Sequence, residues 1–166
     1  MKKLIPVAAS FLLSFGCAEK PAQDKPFSEV PSIPKDIDNR ALYQQMYANL
    51  QEEMPTRSQV NVPAYPNAVV FSITDKDDEK GVLPGVTIMT TDAPEKVRKF
   101  YQDKLDDWNF DEKYNVFYQD EAKKFPFEKL NSIPNITIHK TEDSHPGKKI
   151  MPEARCYINI VYTPKE

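Results

Sequence analysis

Apolar and polar positions alternate along the chain in runs that mark out its elements. Residues 36–54, DIDNRALYQQMYANLQEEM, place Leu42, Met46, Leu50 and Met54 at every fourth position, with Tyr43 and Tyr47 beside them. This is the pattern of an amphipathic helix, stopped by Pro55, and its stripe reads as core packing. After a turn-rich VNVPAYPNA, residues 68–74 alternate as a strand, with Val69, Phe71 and Ile73 on one face. DKDDEKG then forms an acidic hairpin tip, and Pro84-Gly85 delays the returning strand to Val86.

Thr91-Asp92-Ala93-Pro94-Glu95 predicts a helix start, with Asp92 as the cap, Pro94 in the first turn and Glu95 completing a capping box. The helix is expected over 93–107. Val97, Phe100, Tyr101, Leu105 and Trp108 form its buried face, and Lys96, Arg98, Lys99, Asp103, Asp106 and Asp107 its wet one. Three strands follow. Residues 110–118 put Tyr114, Val116 and Tyr118 on one face, 135–140 pair Ile136 with Ile138, and 154–162 align Cys156, Ile158, Ile160 and Tyr162. Between them, 119–134, with Phe125, Phe127 and Leu130, reads as a short helix or loop on a sheet edge, and 141–153 as a polar hairpin loop. The order α-β-β-α-β-β-β predicts an α+β domain. Its antiparallel sheet has about five strands, with one main helix on one face and an additional N-terminal helix.

The first residues obey a different rule. Lys2 and Lys3 precede an apolar run from Leu4 to Phe15 that ends at Gly16-Cys17. As a helix this run would be roughly 18 Å long against a hydrocarbon core of about 30 Å, so it reads as a signal peptide and not a membrane span. Leu13-Ser14-Phe15-Gly16-Cys17 resembles a bacterial lipobox, although Ser14 and Phe15 stand where Leu and a small residue are usual. The resemblance implies cleavage after residue 16 and lipid on Cys17. It also implies a place in the bacterial cell envelope, and Ala18, where an Asp would favour the inner membrane, leans towards the outer membrane facing the periplasm. The expected organisation is a signal peptide over 1–16, a lipidated Cys17 with a Pro-rich linker over 17–35, and one domain over 36–166.

Charge and cysteine usage narrow the partners. The chain carries 22 basic and 25 acidic residues, a net charge of −3, and loss of Lys2 and Lys3 makes the remainder more acidic. Without a Lys/Arg block it is a poor nucleic-acid binder and lacks a polybasic membrane patch. If Cys17 carries lipid, the second cysteine, Cys156, has no partner within the chain and is expected as a small buried residue.

Pro63-Ala64-Tyr65-Pro66-Asn67-Ala68, leading into a strand, and Thr90-Thr91-Asp92-Ala93-Pro94-Glu95-Lys96-Val97-Arg98-Lys99-Phe100-Tyr101 together resemble a type of small bacterial lipoprotein or secreted domain. Members share a YPxA lead into a strand and TxDxPExVxxFY opening a helix. The resemblance spans about residues 63–118. Asn67 stands for the usual Gly, Ala93 for Ser, and Asp107 for the Gly before Trp108. These positions are capping and core chemistry, so the resemblance implies a fold and carries over no active site.

Candidate chemistry is sparse. His139 is expected to point outward, away from Ile136 and Ile138, and His145 lies in a loop; a zinc site would need further ligands. Asp75, Asp77, Asp78 and Glu79 lack the calcium-loop pattern, because Lys80 and Val86 occupy the positions that need Gly and Glu. Asp111 and Glu112 fall on opposite faces of their expected strand, so they form no acid/base dyad. The four glycines, Gly16, Gly81, Gly85 and Gly147, make no phosphate loop. The sequence therefore predicts neither catalytic residue, metal nor cofactor, and only Cys17 as a modified site. Its partners are expected to be the membrane, through lipidated Cys17, and an envelope protein, in a non-enzymatic protein-binding or envelope-assembly role. The alternative is a module for a small envelope ligand, a lipid or glycan fragment, held on the open sheet face by Tyr157, Asn159, Thr137 and His139. A concave pocket with aromatic walls would favour the ligand; a flat apolar patch would favour the protein partner.

Overall fold

The computed structural model describes residues 24–120 and 125–165. The expected signal peptide and Cys17 lie outside the described residues. Within them the chain runs α1 (Arg40–Glu53), β1 (Val69–Thr74), β2 (Gly85–Thr90), α2 (Pro94–Gln102), β3 (Asn109–Asp111), β4 (Val116–Tyr118), β5 (Asn135–Lys140) and β6 (Cys156–Val161). All six strands pair antiparallel in one open sheet, in the order β1-β2-β6-β5-β4-β3. The α+β class follows the sequence pattern, with six strands where about five were expected.

The extra strand comes from a turn inside the expected strand 110–118. The Asp111 carboxylate accepts from the backbone N–H groups of Lys113 and Tyr114 at 3.0 and 3.3 Å, and Asn115 takes a left-handed φ of 52°. An aspartate that captures amides two and three residues on folds the chain back on itself, and Asn tolerates the positive φ better than most residues. Phe110 therefore pairs with Phe117, and the run becomes the β3–β4 hairpin. Glu112 sits in the turn, so the picture of two carboxylates on one strand lapses.

Strand β1 departs from strict alternation. Val70 faces Ile88, but the next pair is Ser72 with Thr87, which leaves Phe71 unpaired in a bulge. An extra residue shifts the side-chain phase. Val70 and Ile73 therefore reach the core, while Phe71, expected beside Ile73, packs on His145 with ring centroids 5.3 Å apart.

Helix α1 is turned relative to its expected stripe. Tyr47 is buried, whereas Leu42 and Met46 are 57 % and 46 % exposed. Positions four apart drift about 40° per step round a helix of 3.6 residues per turn, so an unbroken every-fourth stripe leaves the packed face. Tyr43, Tyr47, Leu50 and Met54 follow i, i+4, i+7 and i+11 and remain on it.

Helix α2 keeps its expected face: Val97, Tyr101 and Leu105 are buried, and Phe100 and Trp108 pack against the core. It is shorter than 93–107, ending at Gln102. Its cap also differs. Ala93 holds the N-cap position without a side-chain bond, and Asp92 binds elsewhere, accepting from Tyr65 and Lys96. Beneath α2 lie Val86, Ile88, Ile136, Ile138, Ile158 and Ile160 from the sheet. Burial of each such side chain stabilises the fold by about 1.5–3 kcal/mol before chain entropy is counted.

Part of the expected linker belongs to this core. Phe27 is 1 % exposed, its N–H donates to the Pro55 carbonyl at 2.8 Å, and Val70 N–H donates to Glu29 O at 2.7 Å. The segment thereby covers the free edge of β1, through a bridge between Glu29 and Val69. Prolines do not prevent docking against a sheet edge, and Phe27 anchors the segment together with Val30 and the Ser28 hydroxyl, which donates to Ala68 O at 3.0 Å.

Candidate functional site

The sheet face opposite α2 carries three cross-strand rows. Gly85, Val161, Asn135 and Tyr118 form the first, Thr87, Asn159, Thr137 and Val116 the second, and Met89, Tyr157 and His139 the third. The middle row is polar where it crosses the sheet centre. Thr87 Oγ1 donates to Asn159 Oδ1 at 2.9 Å, so the Asn159 carbonyl is engaged and its NH2 group is left facing outward.

Two segments flank this floor. On one side, residues 125–133 fold over β4: Phe125 is buried against Val116 and Tyr118, with Leu130 and Ile133 beside it. This is the segment expected on a sheet edge; it packs instead on the outer face, around a short 3-10 turn at Phe127–Lys129. Asn135 holds it by donating to the carbonyls of Leu130 and Ile133 at 2.6 and 3.0 Å. Asp111, already bound to its own turn, also accepts from Phe125 N–H at 3.2 Å. On the other side, the 3-10 turn Pro146–Lys149 lies against Met89; a side chain at Gly147 would collide with the Met89 thioether.

Against the first of these flanks lies a groove with a volume of about 660 Å³. Thr87, Asn159 and Thr137 form its floor, and Phe125, Phe127, Leu130 and Tyr114 form a largely apolar wall. Tyr114 and Phe127 meet edge to face with centroids 4.4 Å apart, and Phe127, 50 % exposed, stands at the rim. At one end, Leu83 N–H donates to Asn131 O at 2.8 Å, a bond that closes the groove beyond the first row. At the other end stand His139 and Lys113, whose ammonium lies 4.7 Å from the Tyr114 ring centre. A hydrogen bond with the Tyr114 hydroxyl, aided by the Asp111 carboxylate, raises the Lys113 pKa. Among the described lining residues there is no aspartate or glutamate.

The candidate face residues divide in two. Asn159, Thr137 and His139 line the groove, while Tyr157 lies beyond it in a stack. His139 and His145 each lie parallel to Tyr157 at 4.7 Å, and Phe71 follows His145, so four rings cross the face from β5 to β1. His139 was expected to be exposed; the stack half-buries it, and the burial lowers its pKa. Tyr157 stands between the two imidazoles, so they cannot share a metal ion, and among the described residues no three His, Cys, Asp or Glu side chains converge as ligands. His145 Nδ1 is engaged in accepting from Gly147 N–H at 3.1 Å.

Cys156 lies on the opposite, core-facing side, fully buried and unpaired, and burial pushes its thiol up to about 12. The acidic hairpin tip is partly neutralised by its own lysines. Asp77 accepts from the Lys80 ammonium at 2.7 Å and Asp78 pairs with Lys76 at 3.1 Å.

Alternation exposed the floor but not the wall. Phe125 and Phe127 gave no periodic signal, because they belong to a folded-back segment held by Asn135 and Asp111. No protein-family model, no curated protein and no solved structure matches this chain.

Proposed function

We propose that this protein is a non-enzymatic binding module whose ligand lies in the groove over Thr87, Asn159 and Thr137. The observation that carries the reading is the groove's makeup: a concave site with aromatic walls and a few convergent polar groups on a rigid sheet. Small-ligand sites are built this way. Leu42 and Met46 on α1 give a protein partner only a small convex patch, which favours the ligand over the partner. Titration of isotope-labelled protein with the apolar probe N-phenylnaphthylamine tests the reading. Backbone shifts are expected at Thr87, Thr137, Asn159 and residues 125–130. Saturable shifts confined to α1, or none at all, would refute it.

The module is proposed to work from the surface of a bacterial membrane, tethered through lipid on Cys17. The support is the basic start, short apolar run and Gly16-Cys17 junction. Three acyl chains, as the lipobox resemblance implies, make such an anchor effectively permanent. Cys17→Ala is expected to abolish palmitate incorporation; equal labelling of variant and wild type would remove the tether from the reading.

A further inference from the structure

The groove is chemically polarised along its length, and its polarity selects a ligand. Lys113 marks one end, and no described carboxylate lines the site, in a chain where acids outnumber bases 25 to 22. At the other end the side chains of Leu83, Val82 and Val161 gather, with Thr74, Asn131 and Asn135 beside them, inside the Leu83–Asn131 bond. The floor between them offers donors. Because Thr87 occupies the Asn159 oxygen, Asn159 presents its NH2 group, and the Thr137 hydroxyl beside it can also donate. Burial keeps His139 uncharged near neutral pH, so Lys113 is the cation of the described lining.

A ligand that satisfies all three zones carries an anion at one end, a carbonyl acceptor along its length and an apolar tail. We infer that the groove binds an amphiphilic acid of the N-acyl amino acid type. Its carboxylate lies at Lys113, its amide carbonyl over Asn159 and Thr137, and its acyl chain along Phe125, Phe127 and Leu130 towards Leu83. This assignment rests on the proposed binding role of the groove. A cationic amphiphile is disfavoured, because its head would meet Lys113, while the nearby Asp111 carboxylate is already engaged by the N–H groups of Lys113, Tyr114 and Phe125. A plain fatty acid leaves the floor donors without an acceptor once water is displaced, which costs affinity.

Calorimetric titration with three probes tests the assignment: N-decanoylglycine, its methyl ester and tridecanoic acid, each below its critical micelle concentration. N-decanoylglycine is expected to bind one to one and most tightly. Lys113→Gln is expected to weaken it about three- to five-fold, the scale of an exposed ion pair, and to leave the ester unchanged. Thr137→Val is expected to weaken both amides and spare tridecanoic acid. If the ester binds as well as the acid, or Lys113→Gln is silent, the anion assignment falls while the groove remains a ligand site. If tridecanoic acid matches N-decanoylglycine, the carbonyl assignment falls. If none of the probes binds a protein whose circular dichroism is native, this inference is overturned, and the N-phenylnaphthylamine shifts decide separately whether the groove binds anything.

Discussion

The Tyr65 hydroxyl donates to the Asp92 carboxylate at 2.9 Å, joining the segment before β1 to the start of α2. These are the two stretches that carry the lipoprotein-domain resemblance, and the bond gives them a shared physical purpose. Asp92 also accepts from the Lys96 ammonium at 2.8 Å, and Tyr65 packs edge-on against Phe100 with centroids 5.0 Å apart. The aspartate that resembles a helix cap is thus a clamp between two segments.

Tyr65 and Tyr101 lie side by side, with ring centroids 6.3 Å apart, yet loss of their hydroxyls is expected to act in opposite directions. Tyr65→Phe breaks a bond to a charged acceptor and should cost about 1.5 kcal/mol. The Tyr101 hydroxyl is buried and finds no partner among the described residues, so Tyr101→Phe should hold or raise stability, by up to about 1 kcal/mol. Urea melts of the two variants check both signs; a Tyr101→Phe loss as large as that of Tyr65→Phe would contradict the assignment. The Lys96 and Tyr65 bonds also lower the Asp92 pKa. Their stabilisation is therefore present above about pH 4 and lost as pH falls through the lowered value.

Phe27 belongs to the folded unit despite its proline-rich surroundings. Phe27→Ala is expected to cost about 3–5 kcal/mol, as full truncation of a buried aromatic does. Phe100→Ala, at a half-buried position, should cost less. Denaturant midpoints give the ranking, and a silent Phe27→Ala would return residues 24–30 to a free linker.

His139 makes stability depend on pH. Burial holds its pKa below the ordinary value near 6.5, so the unfolded chain takes up a proton more readily than the folded one. Its contribution is present above about pH 6.5 and is lost as pH falls through the depressed folded value. Urea midpoints should fall between about pH 7 and pH 5, and His139→Phe, which keeps an aromatic ring against Tyr157, should flatten that fall. An unchanged slope in the variant would assign the effect to other groups.

Cys156 should be chemically quiet. With its thiol pushed up to about 12 by burial, little thiolate exists near neutral pH. In a Cys17→Ser background, iodoacetamide should label the native protein slowly and the urea-unfolded protein fast. Cys156→Ala should cost about 1 kcal/mol. Rapid labelling of the native form would place the thiol at an accessible surface.

Regular repetition is what the sequence expresses best. Strand β5 and the core-facing side of β6 follow from strict alternation, and the α2 face from its i, i+3, i+4 spacing. The Phe71 bulge, the turn at Asp111–Asn115 and the docking of Phe27 are single-residue events that interrupt a pattern. The aspartate and asparagine in DEKYN were the available signal for that turn, since both favour turns over strand interiors. The groove was half legible for the same reason. Its floor alternates, whereas its wall depends on where residues 125–133 fold back, which is decided by side-chain bonds from Asn135, just after the segment, and to Asp111, 14 residues before Phe125.

The central position of β6 sets a timetable for folding. As the chain emerges N-terminus first, the neighbours of β6, β2 and β5, come before it, and each keeps an unpaired edge until Cys156–Val161 arrives to fill the gap between them. Thr87, Thr137 and Asn159 come together only at that moment, so the groove is among the last parts to form. Long-range pairing of this kind is slow and leaves open strand edges available to other chains. A chain that ends before residue 156 therefore carries two sticky edges and no binding site, and the interval before β6 inserts is when the chain most needs protection from aggregation.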